Sequence, residues 1–271
     1  MSEPTTDTTR VNRPLAAVTG ASSGIGLELA RQFADHGFDL VVNAEDAELT
    51  AAADDLRRRG VDVVAVRADL REPTGVGQLY DAIRADGRPL DAIALNAGVG
   101  QGGAFVDTDW DDDREIIELN VLSTVHLAKL VLRDMVAANR GRVLVTSSIA
   151  SEMPGSFQAI YNASKSFLQS FTEALQNELK DSDVTLTSLM PGPTETEFFE
   201  RAELMDTKVG QAEKDDAAQV AEQGFKGLMA GEDRVVGGGI STRVQEAASK
   251  VLPDKVKAAM HRGMAEPGSG E

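Results

Sequence analysis

The chain alternates short apolar runs with longer segments in which apolar residues recur at helical spacing. The runs have the length of strands, and the segments between them have the length of helices. The predicted strands are residues 15–19, 39–43, 61–66, 90–96, 141–148, 183–190 and 233–238. The predicted helices are residues 24–37, 47–60, 76–85, 109–139, 159–180, 198–206 and 217–231.

The strands are apolar along nearly their whole length, which is typical of a parallel sheet covered by helices on both faces. We find no internal repeat and no linker that divides the chain. The sequence therefore predicts one α/β domain, a doubly wound parallel sheet spanning residues 14–264. The polar ends, residues 1–13 and 265–271, are expected to be flexible.

Composition excludes several classes of function. The 27 Lys and Arg residues face 44 Asp and Glu residues, and a net charge of −17 opposes binding to nucleic acid or to anionic membranes. The chain has no cysteine, and its three histidines, His36, His126 and His261, lack metal-ligand spacing, so no metal site is predicted. With no signal peptide and no long apolar stretch, the expected location is cytoplasmic.

The first strand leads into the glycine-rich loop TGASSGIG, residues 19–26, which opens the first helix. Gly20, Gly24 and Gly26 meet three needs: a tight turn, close approach of a pyrophosphate to the backbone, and close packing of helix on strand. The helix N-terminus then offers free N–H groups to phosphate. The loop therefore predicts a nucleotide site.

At these residues the chain resembles the short-chain dehydrogenase/reductase family, because TGASSGIG is similar to the family's cofactor loop. The likeness continues in family order across residues 15–196, through ADL (68–70), NAG (96–98), ELNVLS (118–123), VTSS (145–148), YNASK (161–165) and PGPTET (191–196). It implies a single-domain Rossmann-like fold and a nicotinamide cofactor.

By this resemblance, Asp69 contacts the adenine, residues 96–98 line the adenosine side, and Thr194 and Thr196 lie near the carboxamide. Leu95 replaces a polar residue that the family often has before NAG. The implied cofactor-binding residues are Gly20, Ser22, Ser23, Gly24, Ile25, Gly26, Asp69, Leu70, Asn96, Ala97, Gly98, Tyr161, Lys165, Pro191, Thr194 and Thr196.

The choice between NAD and NADP depends on the end of the second strand. The stretch VVNAEDAE supplies Glu45 and Asp46 and no basic residue, while Ser22 and Ser23 bring no cation to the loop. Acids at this place suit a ribose 2′-hydroxyl, whereas a 2′-phosphate needs Arg or Lys. The alternative role for both acids is to begin the next helix. We predict NAD over NADP.

The resemblance assigns catalysis to Asn120, Ser148, Tyr161 and Lys165. Tyr161 and Lys165 share one helix face, so the ammonium, together with the positive nicotinamide ring of oxidised cofactor, is expected to lower the pKa of the phenol, which exchanges a proton with the substrate. Ser148 would hold the substrate oxygen. Ser147 is the alternative, and strand alternation lets only one of the two face the site. Asn120 would distort its helix and hold a water in a proton relay.

The resulting prediction is an NAD(P)-dependent oxidoreductase that interconverts a small secondary alcohol and its ketone. Residues 194–215 are expected to form a substrate lid, with Phe198, Phe199, Leu204 and Met205 available for apolar contact; a helix packed on the core is the alternative. A cofactor-sensing regulator on the same fold is a second function. An epimerase or dehydratase is disfavoured because no separate substrate domain is visible. The resemblance also implies a homodimer or homotetramer. The long helices 109–139 and 159–180 are candidate interfaces, and burial of their apolar stripes in the core of the monomer is the alternative.

Overall fold

The computed structural model describes residues 13–249 and 252–270. Apart from residue 13, the N-terminal segment expected to be flexible lies outside the described residues. The strands are β1 (Leu15–Thr19), β2 (Asp39–Ala44), β3 (Val63–Arg67), β4 (Leu90–Leu95), β5 (Gly141–Thr146), β6 (Val184–Pro191) and β7 (Arg234–Gly237).

These strands form one sheet in the order β3-β2-β1-β4-β5-β6-β7, and every pair is parallel. The order runs outward in opposite directions from β1 and β4, which pair with each other. Parallel sheets with such a switch in strand order carry a crevice at the carboxyl ends of the strands beside the switch. The predicted doubly wound sheet is confirmed.

The helices are α1 (Gly24–Asp35), α2 (Glu48–Arg57), α3 (Pro73–Ala85), α4 (Trp110–Ile116), α5 (Thr124–Ala138), α6 (Ala159–Glu178), α7 (Phe198–Arg201), α8 (Lys208–Gln211), α9 (Ala217–Ala230), α10 (Ile240–Ser249) and α11 (Asp254–Ala265). None of the helices in the described part of the chain has the length and apolar character needed to cross a membrane.

Two apolar cores cover the two faces of the sheet. One core packs α1, α2 and α9 against alternate strand residues such as Ala16 and Val18. The other packs α3, α5 and α6 against the strand residues that alternate with these, such as Leu15 and Ala17. Because successive side chains of a strand point to opposite faces, strands apolar throughout feed both cores.

The helix predicted over residues 109–139 is interrupted. Ile117–Ser123 form a π-helical turn between α4 and α5. Asn120 lies in this turn, where its side chain accepts a hydrogen bond from the N–H of Val99 and donates one to the carbonyl of Val99, both at 2.9 Å. These bonds tie the turn to the loop after β4.

The chain after β7 forms two helices, α10 and α11, that the sequence pattern did not predict. Beyond α11, Gly268 and Gly270 donate backbone hydrogen bonds to the carboxylate and the carbonyl of Asp206, at 2.8 and 2.9 Å. Ser269 accepts one from the N–H of Lys208 at 3.1 Å. The flexibility expected of residues 265–271 stays a prediction, and the described part of this tail contacts the segment between α7 and α8.

Candidate active site

A cavity of about 900 Å³ lies at the carboxyl ends of the strands beside the switch in strand order. The glycine loop, the loops after β2 to β6 and the C-terminal helices contribute to its wall. Every site residue predicted from the sequence lines it except Asn120. Tertiary folding thus brings motifs spread over about 180 residues of sequence to one crevice.

The glycine loop has a backbone that side chains would disrupt. Gly20 and Gly24 have φ of +65° and +53°, in the left-handed region. A Cβ on Gly26 would lie 1.9 Å from the carbonyl oxygen of Gly20. Ser23, the N-cap of α1, makes no side-chain capping bond, so N–H groups of the first turn remain available to an anion. The loop therefore fits a pyrophosphate.

The NAG segment is attached to both neighbouring strands. Thr19 at the end of β1 accepts hydrogen bonds through Oγ1 from the N–H groups of Asn96 and Ala97, at 2.9 and 3.0 Å. The hydroxyl of Thr146, at the end of β5, donates to Oδ1 of Asn96 at 3.0 Å. Asn96 is therefore a structural tie as well as a cavity-lining residue. Thr19 was missed because a threonine ending a strand carries no signal of its own.

An arginine that the sequence argument missed pairs with acids that line the crevice, although it does not itself line the cavity. Arg71 donates through Nε to the carboxylate of Asp69 at 2.9 Å, and its other nitrogens pair with Glu45 and Glu115. Burial alone would raise the pKa of Asp69, but the hydrogen bonds from Arg71 outweigh it and lower that pKa. The stretch VVNAEDAE has no basic residue of its own, but folding brings Arg71 to Glu45, and this cation is already paired with three acids.

Asp46, in the loop after β2, also faces the crevice. Its Oδ2 accepts a hydrogen bond from the hydroxyl of Ser22 at 2.7 Å. Its Oδ1 is buried and has no hydrogen-bond partner within the described ranges. A buried carboxylate oxygen without a partner is unfavourable until a donor reaches it, so this atom fits a hydroxyl group on a bound ligand.

Of the two neighbouring serines, Ser148 faces Tyr161. Its hydroxyl donates to the carbonyl of Pro191 at 3.4 Å, accepts from the N–H of Ala150 at 3.1 Å, and lies close enough to the phenol to oppose the rise of the tyrosine pKa. Ser147 turns the other way and donates to the backbone carbonyl of Lys165 at 3.0 Å. Neighbouring side chains of a strand point in opposite directions, and of these two serines it is Ser148 that faces Tyr161.

Lys165 is 4% exposed, and its Nζ donates to the carbonyl of Thr146 at 2.9 Å. Nζ lies 5.8 Å from the centroid of the Tyr161 ring. Burial lowers the pKa of Lys165 to about 8. Burial also raises the pKa of Tyr161 to about 12, although the hydrogen bond with Ser148 opposes this. The expected lowering of the tyrosine pKa by Lys165 is therefore absent here, because desolvation of the phenolate dominates.

Asn120 is fully buried behind the crevice and does not line it. Besides its two bonds to Val99, it donates to the hydroxyl of Ser164 at 3.0 Å, and that hydroxyl donates to the carbonyl of Tyr161 at 2.7 Å. A Cβ on Gly98 would lie 3.0 Å from its Oδ1. Asn120 thus positions the wall of the site, and its role in a proton relay stays a prediction.

The segment 194–215 contributes to the wall of the crevice beside Tyr161. The ring of Phe198 packs against that of Tyr161, with 5.1 Å between centroids. Phe199 and Leu204 are buried with Ala202 in a small apolar cluster of this segment. Met205 is 53% exposed, and neither Met205 nor Leu204 lines the cavity. Their contact with a substrate stays a prediction.

The base of this segment is fixed to the sheet and to α10. Asp215 and Thr194 form a parallel bridge. The carboxylate of Asp215 accepts hydrogen bonds from the N–H of Gly239 at 2.7 Å and from the hydroxyl of Thr242 at 2.5 Å. Thr196 contacts the glycine loop, where a Cβ on Gly24 would lie 2.9 Å from its Cγ2. The PGPTET motif therefore joins the cofactor side of the crevice to the substrate side.

The C-terminal helices contribute residues that the sequence argument did not identify. They are Ser241, Thr242 and Gln245 on α10 and His261 and Met264 on α11. No motif marks them, and only the packing of α10 and α11 over the crevice brings them there.

Comparison with known proteins agrees with this architecture. A family model described as short chain dehydrogenase matches residues 14–206. The oxidoreductase UcpA of Escherichia coli is 33% identical over 189 residues, which are 68% of this chain and 71% of that protein. Sulfoacetaldehyde reductase 2 of Chromohalobacter salexigens is 32% identical over 187 residues, 68% of this chain and 74% of that protein.

Solved structures show the same fold. A short-chain dehydrogenase from Sphingobium yanoikuyae in complex with NADPH superposes with a TM-score of 0.78 and 28% identity, over 89% of this chain and 96% of that one. A short-chain dehydrogenase/reductase from Burkholderia phymatum in complex with NAD gives a TM-score of 0.80 at 24% identity, over 88% and 92% of the two chains, and shows the fold alone. With its parallel sheet, its glycine loop and this family match, the chain belongs to the short-chain dehydrogenase/reductase family.

Proposed function

We propose that this protein is an NAD-dependent oxidoreductase that interconverts a secondary alcohol and its ketone, with Tyr161 as the acid/base. The observation that carries the proposal is the grouping of Ser148, Tyr161 and Lys165 in a crevice whose other end is a glycine loop shaped for pyrophosphate. The family membership and the reductase among the relatives support it.

The residues of the crevice fit a nicotinamide dinucleotide. The glycine loop and the N-terminus of α1 would hold the pyrophosphate, the NAG segment would line the adenosine, and Thr194 and Thr196 would lie beside the nicotinamide end. When bound, the nicotinamide ring accepts or donates the hydride.

Tyr161 would move the proton. In the reductive direction, the neutral phenol donates to the carbonyl oxygen, and a pKa near 12 keeps the phenol protonated at neutral pH. In the oxidative direction, Tyr161 must first become phenolate, so its pKa has to fall. Lys165, whose pKa is about 8, is charged at neutral pH and would favour that phenolate.

Ser148 would position the substrate. Its hydroxyl lies beside the phenol and can bond the same substrate oxygen that Tyr161 protonates. Phe198 packs on the Tyr161 ring and gives the substrate an apolar wall next to the reacting atoms.

Asp46 supports NAD rather than NADP. Its buried, unpartnered Oδ1 suits a ribose 2′-hydroxyl as donor and would repel a 2′-phosphate. Two arginines lie near Glu45, and neither lines the cavity. The charge of Arg71 is opposed by Glu45, Asp69 and Glu115, and Arg67 donates to the backbone carbonyl of Glu45 at 2.8 Å. Solved relatives hold NAD in one case and NADPH in another, so the choice belongs to this proposal.

The test compares the two tyrosines of the chain. Purified protein is screened with aliphatic and cyclic ketones by the loss of NADH absorbance, and Tyr161→Phe is then compared with Tyr80→Phe. Tyr161→Phe is expected to lose about 10²- to 10⁴-fold in turnover while its dissociation constant for NADH, measured by fluorescence, stays the same. Tyr80, which donates to Asp134 on the surface, is the matched control and keeps full activity. Wild-type turnover by Tyr161→Phe would refute the acid/base role.

The second function considered from the sequence, a cofactor-sensing regulator, gains no support from the relatives. Assembly into a homodimer or homotetramer stays a prediction. The helices expected at the interface expose Leu122 and Phe167, at 58% and 45%. Light scattering of the protein with and without Phe167→Glu measures the assembly directly.

A further inference from the structure

His261 on α11 is a buried histidine that the proposed chemistry does not use. Its side chain is 6% exposed, and it belongs to the wall of the same cavity as Tyr161. Its Nδ1 lies 2.9 Å from the carbonyl oxygen of Ser156. The imidazole is thus held by a specific bond at the substrate side of the crevice.

Several hydrogen bonds hold α11 against the loop that follows Ser148. The hydroxyl of Ser156 donates to the carbonyl of Ala258 at 3.2 Å. Lys257 donates through Nζ to the carbonyl of Glu152 at 2.9 Å. This loop begins at the serine that faces Tyr161, so α11 and its histidine are fixed relative to the reacting atoms.

The bond to Ser156 sets the tautomer. A carbonyl oxygen only accepts, so Nδ1 carries the proton and Nε2 of a neutral ring is an acceptor. Burial lowers the pKa of His261, although the bond to Ser156 opposes this, so the ring is neutral at neutral pH. Within residues 13–249 and 252–270, Nε2 has no hydrogen-bond partner and keeps some accessible surface, so it can accept a hydrogen bond from a ligand in the cavity that His261 lines.

The elements that contact α11 bring apolar side chains to the wall of the cavity. Val209 on α8, which packs against α11, and Met153, next to the Glu152 that Lys257 binds, line the cavity, as does Met264 on α11 itself. An acceptor in an apolar wall discriminates between ligands with and without a hydrogen-bond donor. A ligand that brings no donor buries the nitrogen without a partner, which costs binding free energy. Such a wall selects an apolar body with one donor group.

We propose that Nε2 of His261 is a specificity-determining acceptor. It receives a hydrogen bond from a hydroxyl or N–H group that the substrate carries away from its reacting carbonyl, which makes hydroxylated apolar ketones the preferred class. This inference rests on the proposed function for the reacting end of the substrate, and it adds recognition at the far end.

The test uses methyl ketones with chains of increasing length and their ω-hydroxy counterparts, so that the distance between carbonyl and hydroxyl varies. The wild-type protein is compared with two variants of His261. His261→Asn keeps a donor near the position of Nδ1 and removes the acceptor, whereas His261→Gln places an amide near the position of Nε2. The matched control is His36→Asn, because His36 also bonds a backbone carbonyl through Nδ1 and lies outside the cavity.

At the best chain length, wild type and His36→Asn are expected to favour the ω-hydroxy ketone in kcat/KM by about three- to tenfold, the value of one neutral hydrogen bond. His261→Asn loses this preference, because the plain ketone no longer buries an unpaired nitrogen and the ω-hydroxy ketone no longer finds its acceptor, while His261→Gln regains part of it. A preference that survives in His261→Asn at every chain length overturns the proposal, as does the lack of a preference in wild type.

Binding gives a readout that does not depend on turnover. The dissociation constants of the same ketone pairs are measured by calorimetry, and the imidazole nitrogens are followed by NMR, where three histidines give few signals. Binding of the ω-hydroxy ketone shifts the Nε2 signal that His261→Asn removes. If no ketone is turned over, the proposed reaction fails, and equal affinities for both ketones in wild type and His261→Asn refute the role of His261 separately.

Discussion

The side-chain amine of Lys165 donates its hydrogen bond to the carbonyl of Thr146, at the end of β5, while its nitrogen stays 5.8 Å from the centre of the Tyr161 ring. The lysine is therefore anchored to the sheet, and its ammonium is held inside the protein close to the tyrosine. Burial lowers the pKa of Lys165 to about 8, which means that the folded protein disfavours the charged ammonium. Keeping this charge in the site therefore lowers the free energy of unfolding.

Replacing Lys165 by Met should stabilise the fold and abolish turnover. A pKa lowered from 10.5 to about 8 corresponds to roughly 3 kcal/mol against folding at neutral pH. The carbonyl of Thr146 loses its partner in the variant, so a net gain of about 1–2 kcal/mol in the free energy of unfolding is expected. Urea unfolding at neutral pH measures it.

The same comparison has a pH signature. Below about pH 8 the amine is charged in both states, so the wild type bears the full cost. Between about pH 8 and pH 10.5 the folded state releases the proton first and the cost disappears. The stability difference between Lys165→Met and wild type should therefore shrink over this range; a difference that does not change with pH would contradict the desolvation argument.

The two serines after β5 should separate clearly in kinetics. Ser148→Ala removes the hydroxyl beside Tyr161, and a loss of about 10²- to 10³-fold in kcat/KM is expected, as for other donors at a reacting oxygen. Ser147→Ala removes only the bond to the carbonyl of Lys165, which should lower the free energy of unfolding by about 1 kcal/mol and affect kcat/KM far less. Equal losses in both variants would mean that the hydroxyl of Ser148 has no special role.

Two glycines should respond to alanine in opposite directions. Gly26→Ala places a Cβ 1.9 Å from the carbonyl oxygen of Gly20, so the loop must shift, with a loss of NADH affinity and about 1–3 kcal/mol of stability. Gly77, inside α3, has nothing within 4 Å of the same position. Gly77→Ala should stabilise the protein by about 0.5–1 kcal/mol and leave NADH binding unchanged. Fluorescence titration and thermal unfolding report both effects.

Cofactor choice should depend on Asp46. Asp46→Asn removes the charge that would face a 2′-phosphate and supplies an N–H donor in its place. The ratio of the dissociation constants for NADP and NAD should fall by about tenfold. Glu48→Gln is the control, because Glu48 is an exposed acid two residues further along, outside the cavity. The same fall in Glu48→Gln would point to net charge rather than to Asp46.

The order of strands and helices, the parallel sheet and the grouping of TGASSGIG with YNASK followed from the sequence. A strand that is apolar along its whole length needs a sheet covered by helices on both faces. A glycine loop between a strand and a helix is typical of a site that binds a pyrophosphate. The interruption of the helix at Asn120 and the helices α10 and α11 did not follow in the same way. A π-helical turn depends on bonds to Val99, and an amphipathic C-terminal segment does not reveal what it packs against.

Three features were decided by tertiary structure alone. Arg71, after β3, pairs with Glu45, after β2. His261 reaches the crevice from the last helix, and Tyr161 is buried deeply enough that its pKa rises although Lys165 lies close by. The sequence by itself determined which residues are candidates for the chemistry, because motif and spacing are local properties. Only the tertiary structure decided their charges, their partners and the substrate wall, because desolvation and contacts between distant segments exist only once the chain has packed.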